Sequence, residues 1–209
     1  GRVDEATKTK LLFEEASAAV PASRMHHNVP CRLQMEVASL MLQGELAYRE
    51  AALDLDVEES VSEAAMEKLQ NAFTSLWAAV AREDSLPYDE PWGWLVPVRH
   101  AIGALGLEQA LALASKGPEN VATASQLLRE SERAYREDLL IHPDNVWALL
   151  GLKKCLEART KDAFCDVPEL AAAAGAAPLH VQVQDVTRRL NLARLEADSV
   201  VKDMQHSCF

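Results

Sequence analysis

The segment Ser131–Ala158, SERAYREDLLIHPDNVWALLGLKKCLEA, indicates how this chain folds. On both sides of Pro143, apolar residues recur with the three- and four-residue spacing of an amphipathic helix. Pro143 should end the first helix, because proline has no N–H to donate, and Asp144 or Asn145 should cap the second. A connection this short makes the two helices antiparallel neighbours. The segment therefore predicts a helical hairpin.

Helical periodicity of the same kind extends over most of the 209 residues, and the alternating pattern of strands is nearly absent. One exception is LHVQVQDV, Leu179–Val186, which alternates briefly but has no evident partner strand, so we expect it to be helical. Helices are predicted over about 4–20, 31–53, 62–83, 94–114, 122–142, 145–160 and 179–204. The predicted fold class is therefore all-α, built from stacked antiparallel helix hairpins.

Composition and charge argue against several classes of partner. Hydrophobic residues make up 49% and charged residues 25% of the chain, which is typical of a folded globular protein. The formal net charge of −11 leaves no basic surface to neutralise the phosphates of a nucleic acid. No apolar run approaches the roughly 20 residues that a membrane-spanning helix needs. We therefore expect no nucleic acid partner and no direct membrane insertion.

The pattern of cysteines indicates the cellular compartment of the protein. Cys31, Cys155, Cys165 and Cys208 lie far apart in the sequence, without a C-x-x-C pair. This favours reduced thiols and an intracellular location, either the cytoplasm or an organelle. Because the chain begins with Gly1, we interpret it as a processed form or a fragment from which any targeting segment has been removed.

Residues at repeat-like spacing recur along the chain. Trp147, Leu150 and Gly151 have the W-x2-L-G spacing that opens a tetratricopeptide unit of about 34 residues. Tyr135 and Pro143 stand where the second helix and the closing proline of such a unit would lie. Further candidate repeat positions are Gly44, Tyr48, Ala72, Leu76, Ala79, Ile102 and Gly103. Small residues at these positions let two helices approach closely.

These residues resemble one group of tetratricopeptide-repeat (TPR) proteins. The group carries an LPYDEPWGW-x-x-PVRH segment, here Leu86–His100, and a YREDL-x-x-HPDN-x-W segment, here Tyr135–Trp147. The resemblance covers roughly residues 36–160. It implies an α-helical repeat fold and a protein-binding role, and it supplies no catalytic residues.

The expected architecture is a degenerate TPR-like α-solenoid that carries insertions. Each second helix begins late, because about a dozen extra residues precede it, for example between Leu53 and Gln70. Residues 1–35 are predicted to form an N-terminal helix and linker, 36–160 the TPR-like repeat core, and 161–209 the C-terminal capping helices.

The segment Leu86–Gln109, LPYDEPWGWLVPVRHAIGALGLEQ, concentrates aromatic, charged and proline residues in a chain that is only 5% aromatic. One interpretation is structural: the prolines stiffen a link between repeats, and the tryptophans fill the gap between helices. The other is a partner-binding surface, since aromatic residues and arginine dominate binding hot spots. The candidate partner-binding residues are Tyr88, Glu90, Trp92, Arg99 and His100.

Catalytic and metal sites receive little support from the sequence. His26 and His27 are adjacent and have only Cys31 nearby as a further soft ligand, and no H-E-x-x-H motif is present. No glycine-rich phosphate loop or nucleophile elbow accompanies the candidate segment. We therefore expect no enzyme activity, no cofactor and no metal. The predicted function is a protein–protein interaction scaffold. The alternative is a permanent structural or assembly subunit of a larger multiprotein complex, and organellar complexes belong to this alternative.

Overall fold

The computed structural model describes residues 2–21, 31–57, 61–86, 97–165, 167, 170 and 177–197, and every regular element in these ranges is helical. The prediction of an all-α fold is therefore confirmed for this part of the chain. The helices are α1 Val3–Ala19, α2 Cys31–Val57, α3 Glu63–Glu83, α4 Val98–Lys116, α5 Val121–Ile141, α6 Val146–Ala158, α7 Asp162–Cys165 and α8 Leu179–Glu196.

The chain divides into two compact units, Gly1–Val98 and Arg99–Phe209. The first unit holds α1 to α3, and the second begins one residue into α4 and continues to the C-terminus. The boundaries predicted from sequence, 1–35, 36–160 and 161–209, stay a prediction.

Local signals explain where several helices begin. The Ser62 side chain accepts a hydrogen bond from the Ala65 N–H at 3.3 Å and caps α3. Asn145, rather than Asp144, caps α6: its side-chain oxygen accepts from the N–H groups of Trp147 and Ala148 at 3.0 and 3.3 Å. The alternating segment that begins at Leu179 is the first half of α8, as the lack of a partner strand predicted.

The extra residues found between repeat positions lengthen helices. α2 continues past Leu53 to Val57, and α3 begins at Glu63, so most of the excess before Gln70 is helical. The segment SKGPEN, whose composition predicts a loop, contains the last two residues of α4 and a single 3-10 turn, Pro118–Asn120. Gly117 precedes this turn with φ of 151°, a backbone conformation that residues with a Cβ rarely adopt.

In the first unit, α2 and α3 pack closely along a line of small residues. A Cβ added at Gly44 would lie 2.6 Å from Leu76 Cγ and 3.0 Å from the carbonyl oxygen of Ala72. One turn further along α2, the Tyr48 ring meets the Phe73 ring edge-on, with centroids 6.3 Å apart. The residues predicted to face each other across this helix pair therefore do so.

α1 is held to the first unit differently from the prediction. The helical period places Leu11, Leu12, Ala16 and Ala19 on one apolar stripe, but Leu11 and Leu12 are both exposed, and α1 contains no fully buried residue. Phe13, Glu14 and Ser17 line a groove against α2 instead. The Glu14 carboxylate accepts hydrogen bonds from Lys10 and from Ser39 of α2, and these bonds lower the pKa of Glu14.

In the second unit, α6 is the most deeply covered helix of those described. Its buried residues lie on all sides of the helix, which contacts α5 on one side and α8 on another. They are Val146, Ala148, Leu149, Leu150, Gly151, Leu152, Cys155, Leu156 and Ala158. The helical period places Val183, Val186, Leu190, Ala193 and Ala197 on one stripe, and of these residues Val186 and Leu190 of α8 are buried.

The fully buried Tyr135 ring of α5 lies between two glycines. A Cβ built on Gly103 of α4 would come within 2.5 Å of the ring, and one built on Gly151 of α6 would come within 2.1 Å. Real Cβ atoms do not approach other heavy atoms this closely. The ring therefore occupies space that exists only because two neighbouring helices lack a side chain at these positions.

Gly151→Ala and Gly103→Ala should each lower the free energy of unfolding by about 1–3 kcal/mol, because the new methyl group overpacks the site. This cost exceeds the gain of up to about 1 kcal/mol that alanine brings to a helix interior. Chemical denaturation followed by circular dichroism measures the change.

The control for this prediction is a double-mutant cycle with Tyr135→Ala. Once the ring is gone, the methyl group of Gly151→Ala enters vacated space, and its cost should fall to near zero or reverse sign. A cost that stays the same in both backgrounds would contradict the packing described here.

Candidate functional site

Two of the five candidate partner-binding residues lie within the described part of the chain, in the first turn of α4. Arg99 is 7% exposed, and its Nε lies 3.4 Å from Oε2 of Glu137 on α5. His100 is fully buried. Neither side chain is presented to solvent as a surface contact would require. Tyr88, Glu90 and Trp92, like Trp94, lie outside the described residues.

His100 belongs to a buried polar cluster centred on Asp138. The Nε2 atom of His100 lies 3.0 Å from Oδ2 of Asp138, and neither side chain has any solvent exposure. The other carboxylate oxygen of Asp138 lies 2.9 Å from Nδ1 of His142, which is partly exposed. One carboxylate thus bridges two imidazoles. We call these three residues the His–Asp–His cluster.

The backbone at the end of α5 explains why Asp138 and His142 meet. The two residues are four apart, so they lie one above the other on the same helix face. His142 is the residue at which α5 ends, and its N–H donates to the carbonyl oxygen of Asp138 at 2.7 Å. A histidine in this position also interacts favourably with the negative end of the helix dipole. The sequence shows this pair as D-x-x-x-H, the spacing of two residues on one face of a helix.

The cluster adjoins the glycine-bounded site of Tyr135. The rings of His100 and Tyr135 are tilted by 53°, with centroids 6.0 Å apart. One turn before Tyr135 on α5, the Ser131 hydroxyl donates to the carbonyl oxygen of Gly103. The polar groups and the ring therefore hold α4 against α5 along a continuous strip.

Cys155 of α6 lies at the far end of this strip. Its Sγ is 3.2 Å from the Ser131 hydroxyl, and the thiol is fully buried. Burial is the main cause that raises the pKa of Cys155 to about 12, and the nearby Glu132 carboxylate adds to the increase. The thiol is therefore protonated at neutral pH. Cys155 behaves as a small apolar residue of the core.

Sequence reasoning missed a second set of polar contacts, around Glu132. This carboxylate is 2.8 Å from Arg136 on its own helix and 2.9 Å from Nη1 of Arg159, the residue that follows α6. Arg159 also donates to the carbonyl oxygen of Leu170. Glu132 and Arg136 show a helical i, i+4 spacing in the sequence, but the contact with Arg159 depends on how α5 and α6 pack.

An aspartate between two histidines could in principle orient a general base, as carboxylates do in many hydrolases. Here His100 and Asp138 have no exposed atom that a substrate could reach, and the nearby thiol of Cys155 is buried and protonated. The arrangement is suited to joining two helices by hydrogen bonds in a region of low dielectric constant.

Asp138→Ala should lower the free energy of unfolding by about 2–4 kcal/mol, because it removes the hydrogen-bond acceptor of a fully buried imidazole. Glu130→Ala is the matched control on the same helix. Its ion pair with Arg133 is partly exposed, and surface pairs of this kind contribute about 1 kcal/mol or less. Urea titrations of both variants measure the difference; equal losses would contradict a structural role for the His–Asp–His cluster.

Cys155 should resist alkylation in the native protein. With its pKa raised to about 12, the thiolate that reacts with iodoacetamide is scarce at pH 8, and burial blocks access. Cys31 is partly exposed and serves as the internal control. Peptide mass mapping should show modification of Cys31 in native protein and of Cys155 only after denaturant is added; rapid native modification of Cys155 would contradict its placement.

The described residues contain no membrane-spanning helix and no metal-binding cluster, and known proteins supply no relative of the chain. No described helix is long and apolar enough to cross a membrane. In the ranges given above, no group of three or more His, Cys, Asp or Glu side chains is arranged to hold a metal ion, and His26 and His27 lie outside those ranges. Comparison of the chain with protein-family models, with curated proteins and with solved structures gives no match. The resemblance to TPR proteins therefore stays a prediction.

Proposed function

We propose that this chain is a non-enzymatic TPR-like α-solenoid that binds protein partners. The observation that carries the proposal is the Tyr135 ring between Gly103 and Gly151. Here the second helix of one hairpin, α5, presses a large ring against the backbone of its own first helix and of the first helix of the next hairpin. Stacked hairpin arrays grow by repeating a nearest-neighbour contact of this kind.

The first unit supports the same interpretation independently. Gly44 of α2 meets Ala72 and Leu76 of α3 at distances that leave no room for a Cβ. The repeat spacing alone predicts these glycine, alanine and leucine positions. Two helix pairs in one chain therefore use small residues at comparable positions, which favours a degenerate repeat.

The proposed partner surface includes the end of α5. Leu140 is 84% exposed, and its neighbour Ile141 is also exposed, directly before the turn that leads into α6. Two adjacent large apolar side chains in solvent cost free energy that a partner would recover by covering them. The proposal retains Tyr88, Glu90 and Trp92 as further contact residues and assigns Arg99 and His100 to the packing of α4 on α5.

The absence of enzyme activity belongs to the proposal. The groups with the most catalytic character among the described residues, the His–Asp–His cluster and Cys155, lie in the core, where they hold helices together. The surface of α5 carries chiefly arginine and glutamate side chains in ion pairs. At its end it also carries the exposed apolar residues Leu140 and Ile141. This surface is suited to contact rather than to bond chemistry.

A permanent structural or assembly subunit is the second candidate, and α1 favours it. This helix has no fully buried residue and exposes Leu11 and Leu12 next to each other. In an obligate complex such a face would be covered by another subunit. The two candidates differ in solution: a scaffold for reversible partners should be stable when purified alone, whereas an obligate subunit should aggregate at micromolar concentration.

Site-specific photo-crosslinking tests the proposed surface. A photoreactive phenylalanine analogue replaces Leu140 or Trp92 in the full chain, and Leu53, which is exposed on α2, provides the matched control position. After irradiation in native extract, mass spectrometry should identify one protein that is captured at Leu140 and at Trp92 but not at Leu53. Equal capture at all three positions would contradict the proposed surface.

The captured protein is then purified and titrated against the wild-type chain and the double variant Leu140→Asp, Ile141→Asp. Affinity should fall at least about tenfold, which corresponds to 1.4 kcal/mol. The melting temperature should fall by only a few degrees, because neither side chain is buried and the sole cost is that of two carboxylates near the negative end of the helix dipole. Unchanged affinity would remove the end of α5 from the partner surface.

A further inference from the structure

The outward face of α8 carries apolar and charged residues at regular spacing. This face lies opposite the buried residues Val186 and Leu190 and includes three exposed apolar side chains: Val181, Leu192 and Leu195. The residues along the centre of this face are Val181, Asp185, Arg188, Leu192 and Leu195. Their spacing alternates between four and three, which is the seven-residue period of a helix that packs along another helix. Arg188, Leu192 and Leu195 of this face also line one side of a shallow open groove.

The two charged residues of this face are placed symmetrically within it. Nη2 of Arg188 lies 2.9 Å from Oδ1 of Asp185 on the neighbouring turn, and both side chains are largely exposed. Val181 precedes Asp185 by four residues, and Leu192 follows Arg188 by four residues. When the direction of the helix is reversed, Val181 and Leu192 therefore exchange positions. Asp185 and Arg188 exchange positions in the same way.

From this symmetry we propose that α8 pairs antiparallel with α8 of a second copy of this chain, around a twofold axis between Asp185 and Arg188. Val181 then lies opposite the partner's Leu192, and Asp185 lies opposite the partner's Arg188. Each of these contacts occurs twice because the interface is isologous. At the ends, Leu195 reaches the exposed residue just before the partner helix, Pro178 of the partner subunit.

Charge selects this arrangement over the other ways to pair the same face. A parallel pair would place Arg188 opposite the partner's Arg188 and Asp185 opposite the partner's Asp185. An antiparallel pair shifted to place Val181 opposite the partner's Leu195 would bring two Arg188 side chains together on the axis. Like charges at contact distance repel, and repulsion rises as water is excluded. Only the proposed register sets opposite charges against each other.

The size of the face sets the expected strength. α8 has 18 residues, and a helix of that length spans about 27 Å. A pair of such faces lies at the low end of the area of specific interfaces, so the dissociation constant should be on the order of 10–100 μM. The dimer should therefore be visible in a concentration series and absent in dilute samples.

Sedimentation equilibrium over a series from a few micromolar to several hundred micromolar tests the proposal with the full chain. The wild-type protein should pass from monomer to dimer. Leu192→Glu should stay monomeric, because it places a carboxylate opposite the partner's Val181. Leu53→Glu is the matched control, since Leu53 and Leu192 are 51% and 53% exposed, and it should dimerise like the wild type.

Charge reversal tests the register. Arg188→Asp and Asp185→Arg should each abolish the dimer, because each sets like charges opposite each other twice. A mixture of these two variants should form a heterodimer of equal parts, and the double variant Asp185→Arg, Arg188→Asp should form a homodimer again. Circular dichroism at 222 nm should show unchanged helix content throughout, since these side chains are at the surface.

Three outcomes would overturn the proposal. The wild-type chain could remain monomeric at every concentration, which would show that this face does not bind a second copy of the chain. Leu192→Glu could dimerise as strongly as Leu53→Glu, which would place the interface elsewhere. Finally, the two single charge variants could fail to associate when mixed, which would exclude the antiparallel register.

Discussion

The second unit depends on a single steric constraint: a tyrosine ring needs the space of two missing side chains. Tyr135 is fully buried, and Gly103 and Gly151 approach it so closely that neither could carry a Cβ without movement. This fixes the separation of α4, α5 and α6 at one level along all three helices. Burial of a ring of this size contributes several kcal/mol, about 1.5–3 for an average large apolar side chain and more for an aromatic one. The contact thus combines stability with specificity.

Polar groups around the Tyr135 ring determine how α4 is aligned along α5. Apolar contacts alone would allow one helix to shift along the other. The Ser131 hydroxyl bonds to the backbone of Gly103, and His100 and Asp138 meet one turn further along. Hydrogen bonds are directional, and in the core each one is costly to break. A shift of α4 along α5 would break all of them together. The His–Asp–His cluster therefore fixes the register of two helices whose apolar faces are rich in interchangeable alanine and leucine.

Much of the fold followed from local sequence, and much of the candidate site did not. Helix periods and caps such as Ser62 and Asn145 act over a few residues, so the pattern predicted them. The small residues facing each other in the α2–α3 pair were also predictable, because repeat spacing implies close approach. The pairing of His100 with Asp138 joins residues 38 apart, and no local pattern encodes it. The sequence pattern predicts Arg99 and His100 as partner-binding residues because aromatic residues and arginine dominate hot spots, and that pattern carries no information on their contacts with α5.

The burial of α6 has a consequence for the order in which the molecule is assembled during synthesis. α6 has buried residues on every side, and part of its covering comes from α8, which the ribosome adds only after α7 and the residues that follow it. Until α8 is synthesised, the part of α6 that α8 contacts faces water. Exposed apolar helices in nascent chains are what chaperones bind and what aggregation begins from. The second unit therefore completes the covering of α6 only after α8 has been synthesised, and until then α6 is a segment to which a chaperone can bind.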